Sequence, residues 1–331
     1  MRLDWLAMVV GALAMGGAIG CTPGEGTEGE GETENGSTGG TGNASMSSTG
    51  ADETAGPATG SGGEESGPGS DDGLQDTGDT GPGETTGGEA GCQPTPTRMV
   101  VLGDSIAACA GVGGKDSDDC APKRLNSWLA ANVGPLSYEN LSVGGAVTTD
   151  VSNFQLGTIE VGMPGHVLVM IYIGGNDLAP YIFASDQAAL DGWNNTTGPQ
   201  VAAAWEEILD FLGDPANFPD GVTLLMNTQY NPFDDCTAPP YNVSETKIEL
   251  LHAHNDALEE RAASREWAFI TDQHPSYLGH GHYVNDSSCP YYDPSFEGWM
   301  GDLIHPNVLG HHHLSDEMVA VAEQELYGAC P

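Results

Sequence analysis

The sequence predicts a three-layer α/β/α sandwich, a parallel five-stranded sheet with helices on both faces, over residues 92–331. Three observations predict it. The runs Val100–Leu102, His166–Ile173 and Val222–Met226 are almost continuously apolar. They lack the alternation of a half-solvated strand and so read as strands buried on both faces. Segments of helical spacing separate them, which implies crossover connections and parallel pairing. The first three predicted strands each run into a short block of Gly, Asp, Asn or Ser. In an open α/β sheet the carboxyl ends of the strands are where ligands bind.

The first strand, Val100-Val101-Leu102, is followed at once by Gly103-Asp104-Ser105-Ile106. A tight turn there places Ser105 on the functional rim, as a nucleophile candidate. After a loop from Ala107 to Pro122, Leu125, Trp128 and Leu129 recur at helical spacing in a helix predicted over Arg124–Val133. A second strand, Tyr138–Val143, delivers Gly144 and Gly145. The third, His166–Ile173, delivers Gly174-Gly175-Asn176-Asp177. Helices follow over Ala202–Leu212, Glu245–Ala263 and His311–Leu326, with strands at Val222–Met226 and Ala268–Thr271. Between Asp272 and Trp299 the chain is loop-like and aromatic, with Tyr277, Tyr283, Tyr291, Tyr292, Phe296 and Trp299. This segment runs directly into Asp302. It is therefore expected to form one wall of a cleft, with the loop Ala107–Cys120 opposite.

Four blocks occur in order: Gly103-Asp104-Ser105-Ile106, Asn140-Leu-Ser-Val-Gly-Gly-Ala146, Ile171-Tyr-Ile-Gly-Gly-Asn-Asp177 and Asp302-Leu-Ile-His305-Pro-Asn307. From about Arg98 to the C-terminus the chain resembles the SGNH hydrolases, also called the GDSL esterase and lipase family. The resemblance implies a flavodoxin-like fold, a Ser-His-Asp triad of Ser105, His305 and Asp302, and an oxyanion hole of Ser105, Gly145 and Asn176. Two positions depart from the family pattern. Ile106 stands where the family has Leu, and Gly144 doubles the glycine of the second block, leaving a one-residue ambiguity there.

The chemistry behind these roles is general. Acyl transfer needs a nucleophile, a base for its proton, a group that fixes the base, and donors where negative charge develops. Ser105 Oγ attacks, His305 takes the proton and passes it to the leaving alcohol, and Asp302 fixes the imidazole tautomer. Asp104 and Asp177 are assigned to the turns that aim Ser105 and Asn176. No cofactor and no metal are expected. His311, His312 and His313 fan out around a helix, and His252 and His254 point to different helix faces. His280 and His282, in a glycine-rich loop, read as loop histidines without a catalytic part.

Residues 1–20 carry an apolar run from Leu6 to Ile19 and end Ala18-Ile19-Gly20 before Cys21. The run is short and glycine-rich for a membrane span. It resembles the lipobox of bacterial lipoproteins, which implies cleavage before Cys21 and lipidation of Cys21. The alternative is an ordinary secretory signal. Either way the expectation is export, to the bacterial cell envelope or surface through a lipid anchor, or into the medium. Residues 21–91 are rich in Gly, Ser, Thr and Glu, with 15 acidic and no basic residues. Such a segment is expected to be disordered, a tether or spacer. Residues 92–331 carry 32 acidic and seven basic residues, a net charge of −25. That balance repels nucleic acid and phosphorylated substrates and favours neutral or cationic ones. Setting Cys21 aside, six cysteines remain. In an exported protein they predict three disulfides; the sequence alone allows 15 pairings, of which the set expected here is Cys109 with Cys120, Cys236 with Cys289, and Cys92 with Cys330.

The functional expectation is a membrane-tethered serine esterase for carboxylic esters, with acyl groups on a carbohydrate as one substrate class. A lipase-like hydrolase of longer acyl chains and a non-catalytic surface binding protein that keeps the fold are the alternatives. A metal-dependent phosphoesterase shares Gly-Asp and Asn-Asp elements, but the sequence lacks the Asp-x-His opening that such a site needs.

Overall fold

A computed structural model describes residues 92–328. The signal segment, Cys21, the linker and Cys330 lie outside the described residues.

Five strands form one parallel sheet: β1 (Arg98–Gly103), β2 (Ser137–Asn140), β3 (Val167–Tyr172), β4 (Val222–Asn227) and β5 (Ala268–Thr271). Their spatial order is β2-β1-β3-β4-β5. That is the flavodoxin-like order, whose switch point lies between β1 and β3. Every residue of β3 and β4 is buried, as expected for strands covered on both faces, whereas the edge strands β2 and β5 are partly exposed.

Period-two alternation assigns each strand side chain to a face. Val100, Leu102, Val169, Ile171, Leu224 and Met226 pack on one side. There they meet Trp205, Ile208 and Leu212 of α2 (Gly198–Gly213) and Leu258 of α3 (Glu245–Ala263). Met99, Val101, Leu168, Met170 and Leu225 pack on the other. Their partners are Leu125 and Leu129 of α1 (Ala121–Asn132) with Leu314 and Met318 of α4 (Val308–Val321). The three layers are those expected from sequence.

Boundaries differ for local reasons. Helix α1 starts three residues before the predicted Arg124, because Pro122 fits the first turn, where its missing N–H costs nothing. Strand β2 ends at Asn140 rather than Val143. The Asn140 side chain accepts from Ser142 N at 3.1 Å, turning the chain, although Leu141 N and Val143 N still donate to the carbonyls of Val101 and Gly103. Helix α4 begins at Val308, capped by the Asn307 side chain, which accepts from Gly310 N at 3.1 Å. A wider helical turn over Ala322–Tyr327 follows it.

Two of the three expected disulfides are present, Cys109–Cys120 and Cys236–Cys289. Cys92 is also disulfide-bonded. Among the described residues, no helix is long and apolar enough to cross a membrane.

Candidate active site

Three neighbouring strands deliver three of the sequence blocks to one rim. Ser105 follows β1, the Gly144-Gly145 turn follows β2 on one side, and Asn176 follows β3 on the other. The turn off β1 depends on glycine. Gly103 has φ +135°, and a Cβ there would stand 2.0 Å from the Tyr172 carbonyl oxygen. The chain can therefore leave β1 beside β3 only without a side chain at this position. Asp104 Oδ1 accepts from Ile106 N at 2.9 Å, closing the turn around Ser105.

The Asp302–His305 block sits in a tight loop between Met300 and Pro306, which form an antiparallel bridge. His305 Nε2 lies 2.9 Å from Ser105 Oγ. On the far side of the ring, His305 Nδ1 lies 2.8 Å from Asp302 Oδ2 and 3.0 Å from Oδ1. The Asp302 carboxylate also accepts from Ile304 N at 3.0 Å and His305 N at 2.8 Å. Partial burial works against its charge, but these hydrogen bonds and the nearby imidazole outweigh burial and hold the carboxyl below the usual carboxylate range. The structure thus brings Ser105, His305 and Asp302 together across 200 residues of chain.

The oxyanion candidates are held by the same rim. Val143–Ala146 forms a turn closed by Ala146 N donating to Val143 O at 3.1 Å, with Gly145 at φ +81°. That φ is readily adopted by glycine. The Asn176 side chain donates one amide N–H to Ala146 O at 2.9 Å, which fixes its plane against the turn and leaves its second N–H for another acceptor. A Cβ on Gly144 would lie 4.0 Å from Ser105 Cβ, whereas one on Gly145 would meet nothing within 4 Å. Ser105 and Asn176 line one cavity.

Two buried carboxylates stand behind these groups. Burial raises the Asp104 carboxyl to about 7, and the charge of Asp177 adds to the shift. Burial also raises Asp177, to about 6, against hydrogen bonds from Thr148. Asp177 accepts from Thr148 N and Oγ1, each at 2.9 Å. It therefore also ties the third block to the segment after the second.

Several further residues support these groups. Gln155 bonds both backbone groups of Gly103, Tyr230 donates its hydroxyl to Ile304 O, and His282 Nε2 lies 3.0 Å from Leu303 O. The last two brace the loop that carries His305. Only position in the fold marks Gln155 and Tyr230, whereas His282 belongs to the glycine-rich loop noted in the sequence.

The cavity beside Ser105 opens to solvent, and about 820 Å³ of unfilled space lies within it and its mouth together. Its walls are largely apolar: Ile106, Leu178, Ile182, Phe233, Val243 and Leu250 are among them. The aromatic segment 272–299 and the loop 107–120 were the expected walls, and no residue of either lines the cavity. Several of their side chains instead pack on one another or on the loop after β4. His280 stacks on Trp299 at 3.5 Å and on Phe296 at 4.3 Å. Tyr277 stacks on Tyr230 at 4.3 Å, and Tyr283 joins Phe233 and the Cys236–Cys289 pair in a satellite core. Cys109, Val112 and Cys120 make a smaller core under the other loop.

The family model described as GDSL-like Lipase/Acylhydrolase family matches residues 101–313. Similar solved structures include phospholipase A1 from Streptomyces albidoflavus NA297, at 19% identity, covering 68% of this chain and 99% of that one with a TM-score of 0.48. An extracellular lipase from Streptomyces rimosus is 20% identical, with 68% and 99% covered and a TM-score of 0.45. Axe2, an acetylxylan esterase from Geobacillus stearothermophilus, is 14% identical, with 69% and 94% covered and a TM-score of 0.47. No curated protein matches the chain.

Proposed function

The chain belongs to the GDSL-like lipase/acylhydrolase family, and from that premise we propose that it hydrolyses carboxylic esters with Ser105 as nucleophile, His305 as general base and acid, and Asp302 as the group that orients the imidazole. One observation carries this reading: the 2.9 Å contact of His305 Nε2 with Ser105 Oγ, with Asp302 on the opposite ring nitrogen. The reaction begins as Ser105 Oγ adds to the ester carbonyl carbon while its proton moves to His305 Nε2. The tetrahedral oxyanion is held by the backbone N–H of Ser105, that of Gly145 and the remaining Asn176 amide N–H. Collapse of the intermediate breaks the bond to the alcohol, which leaves with the proton from His305. Water then adds to the acyl-enzyme by the same path, and the acid departs.

The apolar walls favour a substrate whose acyl chain has several carbons over a bare acetyl group on a sugar. An acyl chain needs no hydrogen-bond partner, so such a pocket binds it by burial alone. The proposal includes an N-terminal lipid anchor at Cys21, supported by the sequence of residues 1–21. Retention in the membrane fraction that is lost on Cys21→Ser tests that part.

The catalytic reading is tested with p-nitrophenyl esters from acetate to palmitate, comparing the parent with Ser105→Ala. Hydrolysis that rises from acetate toward the medium-length chains and disappears in the variant supports the proposal. A variant as active as the parent overturns it.

A further inference from the structure

A second cluster of reactive side chains takes no part in ester chemistry. Asp235 lies in the loop between β4 and α3, His252 on α3, and His274 at the start of the short helix after β5. His252 Nε2 is 3.0 Å from Asp235 Oδ2, and His274 Nε2 is 3.3 Å from Asp235 Oδ1. The two imidazoles meet edge to face with centroids 4.8 Å apart. One donor atom from each residue lies within 4.8 Å of the other two. No other such group of three occurs among the described residues.

A single hydrogen-bonded pair explains one histidine beside a carboxylate. Here two rings from different elements turn the same nitrogen toward the two oxygens of one carboxylate. Bonds of about 2.0–2.1 Å in a tetrahedral zinc site place neighbouring ligand atoms about 3.3 Å apart. Each imidazole nitrogen stands at about that spacing from one of the two Asp235 oxygens, 3.0 Å to Oδ2 and 3.3 Å to Oδ1. Closing the remaining gap needs a rotation of His252, whose side chain is 45% exposed. Asp235 is 9% exposed and held by Asn231 Nδ2, which donates to Oδ1 at 2.6 Å. Two imidazoles and a carboxylate suit a borderline ion such as zinc, whereas calcium and magnesium call for oxygen ligands.

We propose that Asp235, His252 and His274 form a zinc site that ties the loop after β4 to α3 and to the segment after β5. Its role is to brace the fold, and with three protein ligands the fourth tetrahedral position falls to water. Asn231, Pro232 and Phe233 in that loop line the cavity beside Ser105, so the ion would brace one cavity wall without touching the reacting atoms. The other histidine group offers no comparable convergence. On α4, His312 pairs with Asp119 at 2.8 Å, His313 with Glu317 at 3.6 Å, and His311 is buried.

The test uses tag-free mature protein stripped with a chelator. Zinc is titrated against a chromogenic competitor, and thermal unfolding is followed with and without zinc. The expected result is one equivalent bound, with an unfolding midpoint raised by about 5–10 °C at zinc near 100 times the dissociation constant. His252→Gln, His274→Ala and Asp235→Asn should each weaken binding by more than about 100-fold, beyond the range for loss of a merely supporting contact. His252→Gln is at a half-exposed helix position and should fold in chelator like the parent. The proposal is overturned by any of three results: no stoichiometric zinc and no midpoint shift in the parent, zinc bound equally well by His252→Gln, or an equal shift from calcium.

Discussion

Gln155 grips Gly103 with both edges of its side-chain amide. Oε1 accepts from Gly103 N and Nε2 donates to Gly103 O, each at 2.8 Å. Gly103 is the last residue of β1 and stands two positions before Ser105, so this clamp sets where the nucleophile's turn begins. Gln155→Leu keeps bulk but leaves the buried Gly103 N–H without its acceptor. An expected loss of about 1–3 kcal/mol follows from the unpaired donor, read as a lower urea midpoint at unchanged slope. The turnover number should fall with it, since Ser105 is aimed from Gly103.

Asp302 orients His305 through bonds of 2.8 and 3.0 Å to Nδ1. Replacing it by Ala frees the ring to take the wrong tautomer or to swing away from Ser105. Turnover should drop by about 10³–10⁴ with little change in KM. Steady-state kinetics on a p-nitrophenyl ester measure this, and a loss below tenfold would show that Asp302 is dispensable.

Asn176 uses one amide N–H on Ala146 O, and the other is assigned to the oxyanion. Asn176→Ala should lower turnover by about 10²–10³ while leaving KM near the parent value. Asn176→Asp should be worse, since it replaces the donor by a group that repels negative charge. Equal rates for Asp and Asn at this position would remove Asn176 from the oxyanion hole.

Asp104 makes stability depend on pH. Its carboxyl is raised by burial, and further by Asp177, from 3.8 when unfolded to about 7 when folded. For a raised carboxyl the folded state binds the extra proton, so its stabilising contribution is full below the unfolded value and is lost as pH climbs through about 7. Asp104→Asn keeps the acceptor for Ile106 N and removes the titration. The stability of the variant relative to the parent should therefore increase by about 3 kcal/mol between pH 5 and pH 8. Urea melts at both pH values test this, and a pH-independent difference would place the carboxyl at its ordinary value.

Ile182 lines the cavity beside Ser105 and is half-buried. Ile182→Trp should fill space needed by a longer acyl chain. The ratio of kcat/KM for octanoate over acetate esters should fall by about tenfold or more, since each methylene in such a pocket contributes about 1–3 kcal/mol. An unchanged ratio would mean that the acyl chain lies elsewhere.

The sequence by itself determined the sheet, its helical layers and the four blocks, while its six cysteines beyond Cys21 left 15 pairings open. The sheet and its layers rest on short-range signals: apolar runs without alternation, segments of helical spacing between them, and blocks of Gly, Asp, Asn or Ser directly after the first three strands. Because parallel strands present their carboxyl ends on one rim, the ordered blocks also indicated that Ser105 and Asn176 share a site. What only the tertiary structure decided was the surroundings of that site. Aromatic residues between Tyr277 and Trp299 could either line a cleft or stack on one another, and the stacking partners His280 and Tyr230 come from positions that no periodicity marks. His252 looked unsuited to bind an ion because its helix neighbours point elsewhere, yet Asp235 and His274 reach it from two other segments. A strand's face is fixed within a few residues, whereas side chains from separate loops converge only through packing across the whole chain.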